Sequence, residues 1–188
     1  MHSGFVACQA ALASADVDLV LIPEVEATLD GECGVLGNLD RVLSRKGHAV
    51  VVVAEGAAQE LMDDDETASG TDKSGNTKLK DIGVFLRERI TQHYERANRE
   101  VTLKYFDPSY IIRSVPATPS DSVYCWNMAR NAVHAAMAGN TEMLIGRWHG
   151  RFVHVPMPLA TRNRKQVDTT ADLWMSVIEA TGQPRSFS

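Results

Sequence analysis

Cysteine, positive charge and long apolar runs are all scarce in this chain. The three cysteines of the 188 residues, Cys8, Cys33 and Cys125, form no Cys-x-x-Cys pair, so neither a zinc site nor a disulfide framework is indicated. The formal net charge of −5 argues against a nucleic-acid partner. Because no stretch approaches the roughly 18 apolar residues of a membrane span and no signal peptide is recognisable, we expect a cytoplasmic protein without membrane contact.

Sequence motifs for nucleotide phosphates, metals and nucleophiles are also missing. Neither a GxGxxG nor a GxxxxGK[ST] pattern occurs, so we expect no complete nucleotide phosphate cradle in this chain. A GxSxG elbow is absent as well. The histidines share no ligand spacing; they are His2, His48, His93, His134, His149 and His154. We therefore expect no metal ligands and no catalytic triad.

Two short apolar segments, rich in valine, predict buried parallel strands over residues 18–23 and 48–54. Between them, apolar residues at helical spacing predict a helix over 34–47, which Gly47 ends. This strand–helix–strand unit indicates an α/β fold: three layers, with a mostly parallel sheet and flanking helices.

The remaining segments predict one α/β domain with a helical layer and no clear linker. Helices are predicted over 3–13, 80–99, 119–139 and 168–181, the last capped by Asp168 or Thr169, and strands over 101–105, 142–145 and 151–155 around a turn at His149–Gly150. The alanines of the first helix suggest close packing, and Val123, Trp126, Val133 and Met137 share one face of the third. A strand normally precedes such a first helix, so we expect the chain to be truncated at its start.

A polar stretch over 62–80 predicts an exposed loop. It contains Asp63, Asp64 and Asp65, but consecutive carboxylates rarely converge on one ion, so a solvated loop is favoured over a metal site.

Charged residues follow both predicted strands of the sheet. Ligands bind outside the carboxyl ends of parallel strands, so Glu24 stands where a sugar hydroxyl could be held; a solvated loop acid is the alternative. After the second strand, Glu55 and Gly56 either face a ligand or form a simple turn.

A second candidate group combines Lys104, Tyr110 and Arg113, in a segment predicted to be irregular or a strand. An arginine guanidinium, a lysine ammonium and a hydroxyl donor are groups that bind phosphate. Ordinary exposed charges would give the same sequence pattern. Three basic residues near the end of the chain favour a solvated turn; they are Arg162, Arg164 and Lys165.

Four segments, residues 2–24, 46–62, 104–146 and 167–184, resemble 6-phosphofructokinases in order and spacing. They include the sequences IPE, ending at Glu24, and YIIR, ending at Arg113. The third and fourth segments are similar to the ATP-dependent enzymes of plants and trypanosomes. The resemblance covers nearly the whole chain and implies the second, sugar-phosphate-binding part of the phosphofructokinase fold.

The resemblance also implies roles for single residues. Glu24 would hold the hydroxyls of fructose 6-phosphate, and Tyr110 and Arg113 would contact its 6-phosphate. Lys104 falls where the family carries a basic residue that reaches an adjacent subunit's site, which implies a homo-oligomeric parent enzyme.

In the family, the Gly-rich ATP loop, the acidic Mg²⁺ site and the Asp general base precede a Met-Gly-Arg motif that this chain lacks. We therefore expect residues 1–188 to be the carboxyl-terminal portion of the domain, without catalytic, ATP-binding or metal-binding residues of its own.

The sequence leaves three functions open. The first is a fragment of a glycolytic kinase that converts fructose 6-phosphate to fructose 1,6-bisphosphate with ATP. The second uses pyrophosphate as the donor. The third is a non-catalytic regulatory or assembly subunit.

Overall fold

Helices alternate with short strands in the computed structural model, which describes residues 4–62 and 79–188 and, for Ser109, the backbone alone. The helices are α1 (Phe5–Ser14), α2 (Val35–Lys46), α3 (Ile82–Arg96), α4 (Ser109–Ser114), α5 (Pro119–Met137), α6 (Met157–Ala160) and α7 (Asp172–Thr181). The strands are β1 (Leu19–Leu21), β2 (Val51–Val53), β3 (Met143–Trp148) and β4 (Arg151–Pro156). The predicted loop over 62–80, with its three aspartates, lies almost entirely outside the described residues.

The chain divides into two units. The first comprises the residues up to Phe106 together with Gln166–Ser188, and the second comprises Asp107–Lys165. Each unit has its own sheet, parallel in the first and antiparallel in the second. No helix in the described ranges has both the length and the apolar character needed to cross a membrane.

The first unit is built around the parallel pair of β1 and β2. Leu19 pairs with Val51, and Leu21 pairs with Val53. Successive side chains of a strand point to opposite faces, so both faces of this apolar pair need cover. Helices provide that cover, and the α/β fold with a parallel sheet and flanking helices is as predicted.

The two faces of β1 belong to different apolar clusters. Leu19 and Leu21 pack with buried side chains of α2 and α3. Val20 and Ile22 pack with buried side chains of α1 and α7, including Trp174. The first unit therefore has three layers, with the sheet in the middle.

Several local predictions for the first unit are confirmed. Gly47 ends α2 with φ 76°, a left-handed conformation that glycine adopts without strain. On α1, Ala7 and Ala11 are buried as the predicted close packing requires, whereas Ala10 and Ala13 face solvent.

The strand predicted over 101–105 is wrong. Residues 101–108 form no regular structure, and in the described part of the chain no strand pairs with them. Leu103 packs on the cluster shared by α2 and α3, while Val101 and Tyr105 are exposed. In the described part of the chain β1 and β2 pair with each other and not with this segment, so its strand-like composition is not matched by a strand partner.

The structure also corrects two helix predictions. The segment from Tyr110 to Arg113 is helical rather than irregular or extended: α4 begins directly after Pro108, whose carbonyl accepts the N–H of Ile112 at 2.9 Å. The last helix, α7, begins at Asp172, not at 168. Asp168 instead accepts the N–H of Thr170 at 2.8 Å, a local turn that replaces the predicted cap.

In the second unit, α5 packs on the hairpin of β3 and β4. The hairpin turns at His149 and Gly150, both with positive φ, as the sequence predicts. The Tyr124 and Phe152 rings lie 5.6 Å apart between the helix and the hairpin. Ala135, on the same face of α5, is buried.

The opposite face of α5 is apolar but exposed within the described chain. It is the stripe that the helical spacing predicts, and its members are at least 61% exposed: Val123, Trp126, Val133 and Met137.

Candidate functional site

The Glu24 carboxylate ties three segments of the first unit together. It stands just beyond the carboxyl end of β1, half-buried. The N–H of Gly4, at the start of α1, donates to both carboxylate oxygens at 3.1 Å. The N–H of Val167, which precedes α7, donates to Oε1 at 2.9 Å. Glu24 is thus a carboxylate oriented by two backbone donors, unlike a solvated loop acid.

Gly4 is a part of this site that the sequence motifs do not reveal. A Cβ at this position would lie 2.4 Å from Ile22 Cγ2 and 3.0 Å from Glu24 Oε2. The backbone of Gly4 therefore approaches β1 and Glu24 more closely than any other residue type would allow. The one signal in the sequence is a glycine at the start of a predicted helix, which does not by itself indicate a contact with Glu24.

Cys8 of α1 is a fully buried cysteine near the charge of Glu24. Burial raises the pKa of its thiol to about 11, and the nearby charge of Glu24 acts in the same direction. The thiol therefore stays protonated at neutral pH, and a protonated thiol is a poor nucleophile. Cys8 is a core residue of the layer between α1 and β1.

Tyr110 and Arg113 lie side by side on α4. The Arg113 guanidinium carbon is 5.8 Å from the centre of the Tyr110 ring. Residues three apart are neighbours on a helix surface, so the helix brings the two side chains together, whereas the sequence predicted an irregular segment or a strand. Both side chains are exposed, Tyr110 by 80%, and a ligand can reach them from solvent.

Lys104 lies in the irregular segment that follows α3 in the first unit. Its side chain is exposed. Its neighbour Tyr105 donates a hydrogen bond of 3.3 Å to Asp81 at the start of α3. Of the four predicted site residues, the structure pairs Tyr110 with Arg113, while the hydrogen bonds of Glu24 go to backbone groups and not to Lys104.

The structure adds little support for a binding role of the other candidate residues. Gly56 lies buried in a turn in which Ala57 N–H donates to Ala54 at 2.9 Å, which fits the turn-glycine alternative; Glu55 is exposed. The basic residues near the end of the chain are exposed; they are Arg162, Arg164 and Lys165. Among residues 4–62 and 79–188, no group of three His, Cys, Asp or Glu side chains could hold a metal ion.

The fold and these side chains define an α/β protein with an oriented carboxylate at a strand end and an exposed arginine–tyrosine pair. Comparison with known protein families adds that the phosphofructokinase family model matches residues 1–136. The chain therefore belongs to the phosphofructokinase family, as its sequence motifs predicted.

Individual relatives agree with this assignment. The chain is 55% identical over 190 residues to the ATP-dependent 6-phosphofructokinase of Amycolatopsis methanolica, covering 99% of this chain and 41% of the relative. It is 45% identical to the enzyme of the same name from Borreliella burgdorferi, covering 98% and 42%. It is 42% identical to ATP-dependent 6-phosphofructokinase 7 of Arabidopsis thaliana, covering 97% and 38%. The chain thus spans about two fifths of the length of these relatives.

Proposed function

We propose that this chain carries part of the acceptor site of an ATP-dependent 6-phosphofructokinase. That enzyme transfers the γ-phosphoryl group of ATP to the 1-hydroxyl of fructose 6-phosphate, a step of glycolysis, and we propose the cytoplasm as its compartment. The observation that carries the proposal is the 55% identity along 99% of the chain to an enzyme of that name. The names of the relatives favour ATP over pyrophosphate as the donor.

In this proposal, Glu24 accepts hydrogen bonds from hydroxyls of the sugar. Its position supports the role, because parallel sheets bind ligands beyond the carboxyl ends of their strands. The two backbone N–H groups that hold the carboxylate also support it, since a group held before binding loses less conformational freedom when the ligand arrives.

Arg113 and Tyr110 are proposed to bind the 6-phosphate. A guanidinium donates two parallel hydrogen bonds to phosphate oxygens, and the tyrosine hydroxyl adds a third donor. The exposed ring beside the guanidinium restricts its movement without using its N–H groups. Lys104 is proposed to extend an ammonium group to the sugar phosphate of a second subunit in a homo-oligomer.

ATP and Mg²⁺ are needed by the reaction, but the described residues do not fit them. Phosphoryl transfer requires phosphate positioning, neutralisation of charge by a metal and an oriented nucleophile. The described ranges contain no metal-binding cluster, and the whole sequence contains no nucleotide phosphate loop. We therefore propose that ATP and Mg²⁺ are bound by the part of the relatives that this chain does not match.

A double substitution tests the proposed sugar-phosphate site. Glu24→Ala combined with Arg113→Ala is expected to weaken the binding of fructose 6-phosphate at least roughly a hundredfold, because each change removes hydrogen bonds that involve a charged group. Isothermal titration calorimetry of the 188-residue chain measures this.

The control for this test removes the same two residue types elsewhere. Glu26 is exposed near β1, and Arg130 stacks on Trp126 of α5 with its guanidinium carbon 5.2 Å from the ring. Glu26→Ala with Arg130→Ala is expected to leave the affinity unchanged. Equal affinity of the Glu24/Arg113 variant and the unsubstituted chain would reject the residue assignment.

The 188-residue chain alone is expected to have no kinase activity, because it contains no recognisable phosphate loop for a nucleotide. The measurement is a coupled assay of ADP release with ATP, Mg²⁺ and fructose 6-phosphate. Release of ADP by the pure chain that depends on fructose 6-phosphate would show that this expectation is wrong.

A further inference from the structure

The two oxygens of the Glu24 carboxylate are used unequally. Oε1 accepts the N–H of Val167 at 2.9 Å and shares that of Gly4 at 3.1 Å. From the described residues, Oε2 accepts only its share of the Gly4 N–H, also at 3.1 Å. An ionised carboxylate oxygen has about two lone-pair positions, so Oε1 is fully used while Oε2 can accept another hydrogen bond.

Position 4, beside Oε2, has no room for a side chain. A Cβ there would stand 3.0 Å from Oε2, inside ordinary carbon–oxygen contact, and 2.5 Å from Ile22 Cβ. Ile22 is 1% exposed in the layer between β1 and α1, and a close-packed core leaves it little room to move. The carboxylate would therefore have to give way.

We propose that Gly4 is a positioning residue for the sugar site. Its N–H holds the Glu24 carboxylate, and its missing side chain lets the backbone make this contact without displacing Oε2, the atom that accepts a sugar hydroxyl. This inference rests on the proposed function, since it names the atom of Glu24 that binds the sugar and the residue that keeps this atom in position.

Two variants of the full 188-residue chain test the inference from opposite sides. Gly4→Ala places a methyl group against Ile22 and Oε2, which displaces the carboxylate, and is expected to weaken fructose 6-phosphate binding about tenfold or more. Glu24→Gln preserves the shape, but one acceptor oxygen becomes an NH₂ donor, and because Oε1 is needed by Val167 the amide falls at the Oε2 position. A similar loss of affinity is expected for it.

Two other glycines provide matched controls. At Gly34, before α2, an added Cβ would lie 2.3 Å from the carbonyl oxygen of Asp30. Gly34→Ala therefore strains the backbone at a position that is not part of the Glu24 site. At Gly146 in β3, the nearest atom would lie 3.5 Å away, so Gly146→Ala fits. Both are expected to keep their affinity for fructose 6-phosphate within about twofold at a temperature where circular dichroism shows them folded.

A second ligand separates a positioning role from general damage to the fold. The proposed phosphate contacts are made by Arg113 and Tyr110, so Gly4→Ala is expected to bind inorganic phosphate as the unsubstituted chain does. Calorimetric titrations with fructose 6-phosphate and with inorganic phosphate give both affinities.

The outcomes distinguish this inference from the proposed function. If the unsubstituted chain does not bind fructose 6-phosphate, the proposed function fails and the inference fails with it. If it binds, and Gly4→Ala and Glu24→Gln bind equally well, only the role of Gly4 and Oε2 is overturned. An equal loss in Gly34→Ala, or a loss of phosphate binding in Gly4→Ala, would also overturn it. Should Gly4→Ala fail to fold, Glu24→Gln decides the part of the inference that concerns Oε2.

Discussion

Replacing Lys46 by methionine is expected to lower the free energy of unfolding by about 3 kcal/mol, because it leaves a buried carboxylate without its counter-charge. The Lys46 ammonium lies 2.5 Å from Asp18 Oδ1, and the Asp18 side chain is only 1% exposed. In the variant, the Asp18 carboxylate would keep one hydrogen bond from the described residues. The N–H of Val50 donates it to Oδ2 at 2.9 Å.

Urea denaturation followed by circular dichroism measures the effect, and Arg45→Met is the matched control. Arg45 occupies the same last turn of α2 and is exposed, so its replacement removes the same charge from the same helix end. A change within about 0.5 kcal/mol is expected for it. A similar loss of stability in both variants would assign the effect to the helix dipole rather than to Asp18.

The pH dependence gives this prediction a second readout. Burial alone raises the pKa of Asp18, but hydrogen bonds from Lys46 and Val50 and the charge of Lys46 outweigh it and hold the pKa below its ordinary value. A carboxyl whose pKa is lower in the folded state contributes stability above its unfolded pKa, about 4, and that stability is lost as the pH falls through the folded value. Without Lys46, its hydrogen bond and its charge no longer lower the pKa of Asp18, so the variant loses less stability when this carboxyl is protonated. The difference in stability between the Lys46→Met variant and the unsubstituted chain should therefore narrow as the pH is lowered below about 4. A difference that does not change with pH would contradict this account.

Trp174→Ala is expected to have an equal or larger effect, a loss of about 3–5 kcal/mol. Trp174 is 1% exposed on α7, where it packs in the cluster that joins α1, β1 and α7. Alanine leaves a cavity that the surrounding close-packed side chains fill only in part. The loss would be measured by urea denaturation.

Trp148 provides the matched control for this substitution. It lies at the tip of the hairpin in the second unit and is 68% exposed, so Trp148→Ala removes the same side chain without creating a cavity. A change within about 0.5 kcal/mol is expected. If Trp148→Ala were as damaging as Trp174→Ala, burial would not be the cause.

The layer that Trp174 stabilises is also the one that positions Glu24. Gly4 begins α1, Glu24 follows β1, and Val167 precedes α7, so the three hydrogen-bonded groups of the candidate site come from the segments that this cluster joins. Loss of packing in this layer should therefore weaken sugar-phosphate binding as well as stability, and binding tests on Trp174 variants need to be made where the chain is still folded.

Much of the fold could be predicted because its signals are local. The apolar strands β1 and β2, the end of α2 at Gly47 and the turn at His149 and Gly150 each depend on a few adjacent residues whose backbone preferences agree with their final structure. The resemblance to the family also depends on local sequence, since it rests on four ordered segments of adjacent residues: 2–24, 46–62, 104–146 and 167–184.

Two predictions that failed did so for different reasons. The segment 101–105 has the composition of a strand, but none of the described strands pairs with it. The segment from Tyr110 to Arg113 has apolar residues in its middle, yet it forms a short helix after Pro108. The first failure reflects tertiary context, whereas the described side chains of α4 are all exposed, so this helix depends on the local backbone after Pro108.

The α/β class, the family and the residue types at the candidate site all follow from the amino-acid sequence alone. How those residues are used depends on the tertiary structure. The Glu24 carboxylate is held by Gly4, 20 residues away, and by Val167, 143 residues away. Local preferences cannot specify such contacts, because they form only when the packing of α1, β1 and α7 brings distant backbone groups together.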